Sequence, residues 1–272
     1  MKSALLKITF NSLFIHLLDN LDQLMNNYNP DSIHQYRVNY KKIRALSRIP
    51  IYKNKKSLKI PKILKQHYKL LGNLRDAQLL NTILHNNQLF NFKKDATVFN
   101  FISHNMKTIK SKLTNKNIKS KLIQLHQKIN KNIPKNISDQ TISEKLSNIT
   151  LTIIKNNTSV NLNNFQLHAI RKRLKDFIYI YSSIIADTAN QLNKYFFHKI
   201  KRSNLLHKLG DIQDLICQRN ALSPSQLKGI NLVEVKQLEN FRQKIISKIK
   251  SENESVNNLL KILFINSNSI VS

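Results

Sequence analysis

The scarcity of glycine and proline constrains this chain more than any other feature. Its 272 residues include three glycines and five prolines. A fold rich in short strands needs many tight turns, which these two residue types favour, so a sheet-based fold is disfavoured. Apolar residues instead recur at helical spacing, which predicts an all-α fold. The predicted helices cover residues 3–27, 32–48, 61–89, 92–130, 141–157, 163–186, 188–221 and 230–265.

A polar segment near the middle divides the chain into two similar halves. Residues 131–140 read KNIPKNISDQ and contain Pro134, so we place a linker at 132–138 between units 1–131 and 139–266. IHQYRVNYKKIR at 33–44 and LHAIRKRLKDFI at 167–178 share a histidine, an arginine and a lysine at the same spacing. LGNLRD at 71–76 is likewise similar to LGDIQD at 209–214. The pattern predicts an internal duplication, with two pseudo-symmetric four-helix units in one domain spanning 1–272.

The charge of the chain points to an anionic partner. There are 45 Lys and Arg against 15 Asp and Glu, which gives a formal net charge of +30. Because self-repulsion of this size disfavours a compact state, a polyanion that neutralises it is the expected ligand. Cys217 is the only cysteine, so no intrachain disulfide is possible. With no clean signal peptide and no apolar run of about 20 residues, we expect a cytoplasmic protein.

The repeated motifs place basic side chains on one stripe of each helix. At 100° per residue the stripe lies beside the apolar stripe rather than opposite it, so it can line a groove between helices. Arginine offers phosphate a bidentate fork, lysine a mobile charge, and histidine a donor whose charge depends on pH. The stripes consist of His34, Arg37, Lys41 and Arg44 in the first half, and of His168, Arg171, Lys172 and Lys175 in the second.

Further candidates lie near these stripes. Lys42 follows Lys41 on the first helix, and the residues expected to extend the basic lining are Lys65, Lys69 and Arg75. Gly72 and Gly210 are interpreted as positions of close helix contact or of a kink rather than as ligand contacts. Asp76 and Asp214 have two interpretations: a carboxylate pair that holds Mg²⁺, or acids that hold arginine or histidine side chains in place. The second, a structural support, is favoured.

These motifs resemble the conserved-histidine α-helical domain (CHAD) family, in which each of two repeats carries an HxxRxxxK helix followed by an LGxxRD-type or LGxxND-type segment. The first copy here begins at His34 and is followed by L71-G72-N73-L74-R75-D76; the second begins at His168 and is followed by L209-G210 and Asp214. The resemblance implies two four-helix bundles facing each other around a basic channel that binds inorganic polyphosphate. It also suggests targeting to polyphosphate granules.

The second copy departs from the family pattern at three positions. Ile178 stands where an arginine is usual, Gln213 where asparagine is usual, and Asp176 where a basic residue is usual. The second half is therefore expected to bind less strongly than the first.

No catalytic motif accompanies the basic stripes. The glycines cannot form a phosphate-binding loop of the Walker type, and HExxH and the ExExK strand of the triphosphatase domain are missing. We therefore predict a polyphosphate-binding module that is not an enzyme and carries no metal or cofactor. The main alternative is a nucleic-acid-binding protein, and a third, disfavoured one is an enzyme that acts on phosphoanhydrides with Asp76 and Asp214 holding a metal ion. Single-strand binders interleave aromatic and basic residues on one surface, whereas the aromatics near these stripes lie mainly on the core side.

Overall fold

The structure is a computed structural model that describes residues 2–49, 58–86, 97–113, 117–134, 137–155, 161–184, 191–223 and 230–265. Within these ranges all regular secondary structure is α-helical, which confirms the predicted all-α class. The helices are α1 (Lys2–Asn27), α2 (Pro30–Ser47), α3 (Lys62–Asn86), α4 (Thr97–Leu113), α5 (Asn117–Asn132), α6 (Asp139–Lys155), α7 (Asn164–Ile184), α8 (Gln191–Arg202), α9 (Leu205–Ala221) and α10 (Leu232–Ile265).

Two of the predicted helices are each replaced by a pair. The prediction of one helix over 188–221 is wrong, because Ser203 and Asn204 form a turn between α8 and α9. Asn204 adopts a left-handed conformation with φ 54, which asparagine tolerates better than most residues. The region predicted as a helix over 92–130 contains α4 and α5, and residues 114–116 between them lie outside the described ranges. The linker predicted at 132–138 falls between α5 and α6, and its residues 135 and 136 also lie outside them.

The start and the buried face of α2 follow from its sequence. Asn29 caps the helix by accepting a hydrogen bond from the backbone N–H of Asp31, and Pro30 occupies the first turn, where its missing N–H costs nothing. The predicted apolar stripes of α2 and α7 are both buried, and they consist of Ile33, Tyr36, Tyr40 and Ile43 in α2 and of Leu167, Ile170, Leu174 and Phe177 in α7. The basic stripes therefore lie at the edge of the core.

The two halves of the chain share one hydrophobic core. α2 packs against α7 and α3 against α9, so helices of the first half contact helices of the second. One contiguous cluster of buried side chains extends from Leu6 in α1 to Leu263 in α10. Within each half, α1 packs on α2 and α6 on α7, while α4 packs on α3 and α10 on α9. The remaining two helices differ in chain order, since α5 follows α4 and packs on α1 and α3, whereas α8 precedes α9 and packs on α6 and α9.

Helix α10 is joined to α4 by a side-chain cap and by apolar packing. The Glu234 carboxylate accepts hydrogen bonds from the backbone N–H groups of Thr97 and Val98, at 3.1 and 3.0 Å, and from the Thr97 hydroxyl at 2.9 Å. A second, smaller apolar cluster joins α3, α4, α9 and α10 beneath this cap. None of the helices in the described ranges combines the length and apolarity that crossing a membrane requires.

Candidate functional site

A cavity of about 370 Å³ lies where α2, α3, α7 and α9 meet, and we call it the central cavity. It is lined by seven cationic side chains and one histidine, together with three carboxylates and two tyrosines. The cationic residues and the histidine are Arg37, Lys41, Arg44, Arg75, His168, Arg171, Lys172 and Lys175. Both halves of the chain contribute, so the basic stripes of α2 and α7 face one space.

The structure brings some of the predicted site residues together and separates others. The eight basic residues that line the central cavity were all among the twelve predicted. His34 does not line it but contacts Arg75, which does. Lys42, Lys65 and Lys69 lie outside the cavity, and the last two are exposed on α3. Lys69 instead lines a separate cavity together with His67 and Lys112.

Arg37 is held in place by α3. Its Nη1 donates a hydrogen bond of 2.7 Å to the carbonyl oxygen of Tyr68, and its guanidinium lies over the Tyr68 ring at 4.4 Å from the centroid. The Nε of Arg37 is buried without a hydrogen-bond partner in the described part of the chain, as is the Nε of Arg171. Unpaired buried donors are costly, so both arginines favour an added acceptor.

The two glycines support the cavity to different degrees. A Cβ added at Gly72 would collide with the Arg37 guanidinium, so only glycine leaves room for this arginine against α3. At Gly210 the same Cβ would lie 3.8 Å from the Nη2 of Arg171, which is an ordinary contact. Close approach was predicted for both positions, and the structure requires glycine only at Gly72.

This difference makes a testable prediction. Gly72→Ala is expected to displace Arg37 from the Tyr68 carbonyl and weaken binding of a phosphate polyanion about tenfold, the effect of misplacing one charged hydrogen-bond donor. Gly210→Ala is the matched control and is expected to bind like the unaltered protein. Affinities measured by fluorescence anisotropy with labelled polyphosphate test this. Equal affinities for the two variants would contradict the role given to Gly72.

Burial and neighbouring cations disfavour the charged form of both motif histidines. The Nδ1 of His34 lies 2.6 Å from the Nη1 of Arg75, and because a guanidinium can only donate, this nitrogen accepts. Burial and the charge of Arg75 lower the pKa of His34. Burial and the charge of Lys172 lower the pKa of His168, whose Nδ1 is buried without a hydrogen-bond partner among the described residues. His34 therefore orients Arg75, and His168 keeps an unused polar atom at the cavity.

Two lysines in the central cavity carry an electrostatic cost. Burial, followed by the charges of Lys175 and Arg37, lowers the pKa of Lys41 to about 7. Burial and the charge of Arg171 lower the pKa of Lys175 to about 8, although Asp214 opposes the shift. The ordinary pKa of a lysine side chain is 10.5. The cations in this cavity therefore repel one another more than the nearby acids compensate, and an anion would relieve that repulsion.

The acids of the cavity have different roles. Burial and the neighbouring Asp214 raise the pKa of Asp76, while Arg37 and Arg75 lower it. In the described ranges no hydrogen bond or ion pair joins Asp76 or Asp214 directly to an arginine or histidine, so any support acts through the electric field. These ranges contain no group of three or more His, Cys, Asp or Glu side chains that could hold a metal ion.

Asp176 is neutralised by a residue of the other half. Its Oδ2 lies 2.9 Å from the Nη1 of Arg48, which projects from the end of α2. The Asp176 side chain is only 16% exposed, so its charge would otherwise oppose an anion in the central cavity. The departure from the basic pattern at this position is thus compensated by an arginine 128 residues away.

The sequence motifs missed several cavity residues. Tyr68, Leu79, Gln213 and Cys217 all line the central cavity. Tyr68 lies four residues before Gly72, and Cys217 lies four residues after Gln213, so each shares a helix face with its neighbour. Projecting the LGNLRD and LGDIQD segments along their helices would have found them. Gln213 also raises the pKa of His168, against the lowering by burial, and so connects α9 to the motif of α7.

Fold and site together define an all-helical protein with a basic cavity built from two similar sequence motifs. A family model described as CHAD domain matches residues 9–223, and the chain belongs to this family. No curated protein and no solved structure gave a match.

Proposed function

We propose that the protein binds inorganic polyphosphate in its central cavity, as a binding module and not as an enzyme. The observation that carries the proposal is the set of seven cations around about 370 Å³, including two lysines whose pKa values are depressed. Such a site is electrostatically strained when empty and gains most from a ligand with many closely spaced negative charges. Membership of the CHAD family, known in general for polyphosphate binding, supports the same ligand.

The packing of Tyr68 in the cavity favours polyphosphate over single-stranded nucleic acid. Base stacking needs an uncovered ring face. The Tyr68 ring is already covered by the guanidinium of Arg37 and by Tyr40, whose ring centroid lies 4.6 Å away. A duplex carries its phosphates on the outside of a wide helix, which fits a cavity of about 370 Å³ between helices less well than a narrow phosphate chain does. A bare phosphate chain meets neither obstacle.

The proposal extends to the architecture of the site. The two halves are taken as pseudo-symmetric bundles that face each other, with the central cavity as part of a basic channel between them. The matching packing of α1, α2, α3 and α4 with that of α6, α7, α9 and α10 supports this arrangement. The second half contributes Arg171, Lys172 and Lys175, so its share of the binding energy is expected to be substantial. We further propose a cytoplasmic protein that associates with polyphosphate granules.

A competition experiment tests the proposed ligand. Labelled polyphosphate bound to the protein is challenged with unlabelled polyphosphate, tRNA or duplex DNA at equal phosphate concentration and physiological salt. We expect polyphosphate to displace the probe at concentrations about tenfold or more below those of either nucleic acid, because a narrow phosphate chain reaches more of the cavity's cations and releases more of its own condensed counterions. Displacement by tRNA at equal or lower concentration would move the assignment to nucleic-acid binding.

A further inference from the structure

A second, larger cavity adjoins the central cavity. It measures about 720 Å³, lies between α3, α4 and α9, and is called the side cavity here. Asp76 and Cys217 line both cavities, so the two adjoin at these side chains. A ligand bound in the central cavity could therefore extend into the side cavity at this junction.

The chemistry of the side cavity differs from that of the central cavity. Lys112 is its one cation within the described ranges, against seven in the central cavity. A phosphate chain passing the junction would leave most of its countercharges and meet the carboxylate of Asp76, which is unfavourable. The side cavity therefore suits an uncharged, polar group that is attached to phosphates.

The residues of the side cavity match a nucleoside in particular. Asn73 and Asn105 present amides, each of which offers a donor and an acceptor side by side, as the edge of a purine base requires, whereas the Oδ1 of Asn220 already accepts from Arg219. In the described ranges the side-chain amides of Asn73 and Asn105 make no hydrogen bond, so both amides are available to a ligand. Phe101 and Leu80 provide the apolar surface that the faces of a base need. At the junction, the carboxylate of Asp76 is placed to accept hydrogen bonds from sugar hydroxyls.

We propose that the two cavities together form a site for nucleoside 5′-polyphosphates, with the phosphates in the central cavity and the nucleoside in the side cavity. The inference rests on the proposed function, because the phosphate half of the ligand uses the same cations as inorganic polyphosphate. The proposal adds nucleoside 5′-polyphosphates as a ligand class. A site that recognised only negative charge would bind them no better than phosphate chains of equal charge.

The test compares ATP with methyl triphosphate, which carries the same esterified triphosphate without a nucleoside. Isothermal titration calorimetry without divalent cations is expected to show ATP binding about tenfold tighter, the gain of one stacked and hydrogen-bonded base. Asn105→Leu should remove most of this advantage, because it replaces an amide that would hydrogen-bond to the base, and should leave the affinities for methyl triphosphate and for polyphosphate unchanged. Asn100→Leu is the control, since Asn100 is exposed on the same helix and does not line the cavity.

The outcomes separate the two proposals. Equal affinities of the unaltered protein for ATP and methyl triphosphate, alongside tight binding of inorganic polyphosphate, would overturn the nucleoside site and leave the proposed function intact. Binding of neither triphosphate nor inorganic polyphosphate would overturn both. An ATP advantage that Asn100→Leu removes as fully as Asn105→Leu would also overturn the assignment to the side cavity.

Discussion

Replacing Lys41 and Lys175 by methionine is expected to weaken polyphosphate binding about a hundredfold, since each truncation removes a charge that a bound anion would pair with in a half-buried site. The same double variant should be more stable than the unaltered protein in the absence of ligand. Methionine keeps most of the aliphatic stem and removes an ammonium group that repels its neighbours, so the free energy of unfolding should rise by about 1 kcal/mol or more. Binding and stability thus change in opposite directions.

The matched control for this prediction is Lys65→Met with Lys69→Met. It removes the same charge from α3, but both side chains are exposed and lie outside the central cavity. Because exposed charges are screened by solvent, the control should lose affinity about threefold or less. Anisotropy titrations and thermal unfolding by circular dichroism measure the two effects. If the control loses as much affinity as the cavity variant, binding depends only on the net charge of the protein, and the central cavity is not the binding site.

Polyphosphate binding is expected to weaken steeply as the pH rises from 7 to 9. In the free protein the pKa of Lys41 is about 7 and that of Lys175 about 8, so both lysines are largely neutral at pH 9. A bound polyanion favours the ammonium form, and the complex must therefore take up protons. Once the pH exceeds the pKa of a lysine in the free protein, that lysine should lower the affinity by roughly tenfold per pH unit. Lys41→Met with Lys175→Met should flatten this dependence.

The stability of the free protein should follow pH with the opposite sign. The pKa values of both lysines are lower in the folded than in the unfolded chain, so the unfolded chain binds more protons between pH 7 and 10.5. Stability therefore rises with pH across that window as the lysines lose their charge.

Calorimetric titrations in buffers of different ionisation enthalpy would count the protons taken up on binding. Proton release, or none, at pH 8 would show that neither lysine contacts the ligand.

The walls of the site formed by α2 and α7 could be predicted from the sequence. Helical periodicity fixes which residues share a face, and the buried neighbours Ile33 and Tyr36 show which side meets the core. Arg37 and Lys41 then follow at the core boundary. The same argument from one helix extends to Arg171 and Lys175, so no knowledge of the tertiary structure was needed for these four residues.

The position of α3 in the third dimension could not be predicted in this way. Lys65 shares the angular sector of Gly72, but it lies two turns earlier, about 10 Å along the helix axis. The sequence defines the angle around a helix and not the height at which it crosses another, which depends on side-chain packing between distant segments. For this reason Lys65 was predicted to line the site and lies outside the central cavity. The pairing of Arg48 with Asp176 is equally hidden, because it joins two halves of the chain.

The cap that Glu234 provides for α4 bears on what counts as one unit in this chain. The segment that matches the family ends at residue 223, before α10 begins. Yet α10 supplies the acceptor for the first N–H groups of α4, and α4 carries Phe101 and Asn105. A protein cut at the boundary of homology would lose that acceptor and one side of the smaller apolar cluster. The segment that matches the family and the unit that packs together therefore differ here by one helix at the C-terminal end, and comparative work on such proteins should take its boundaries from packing.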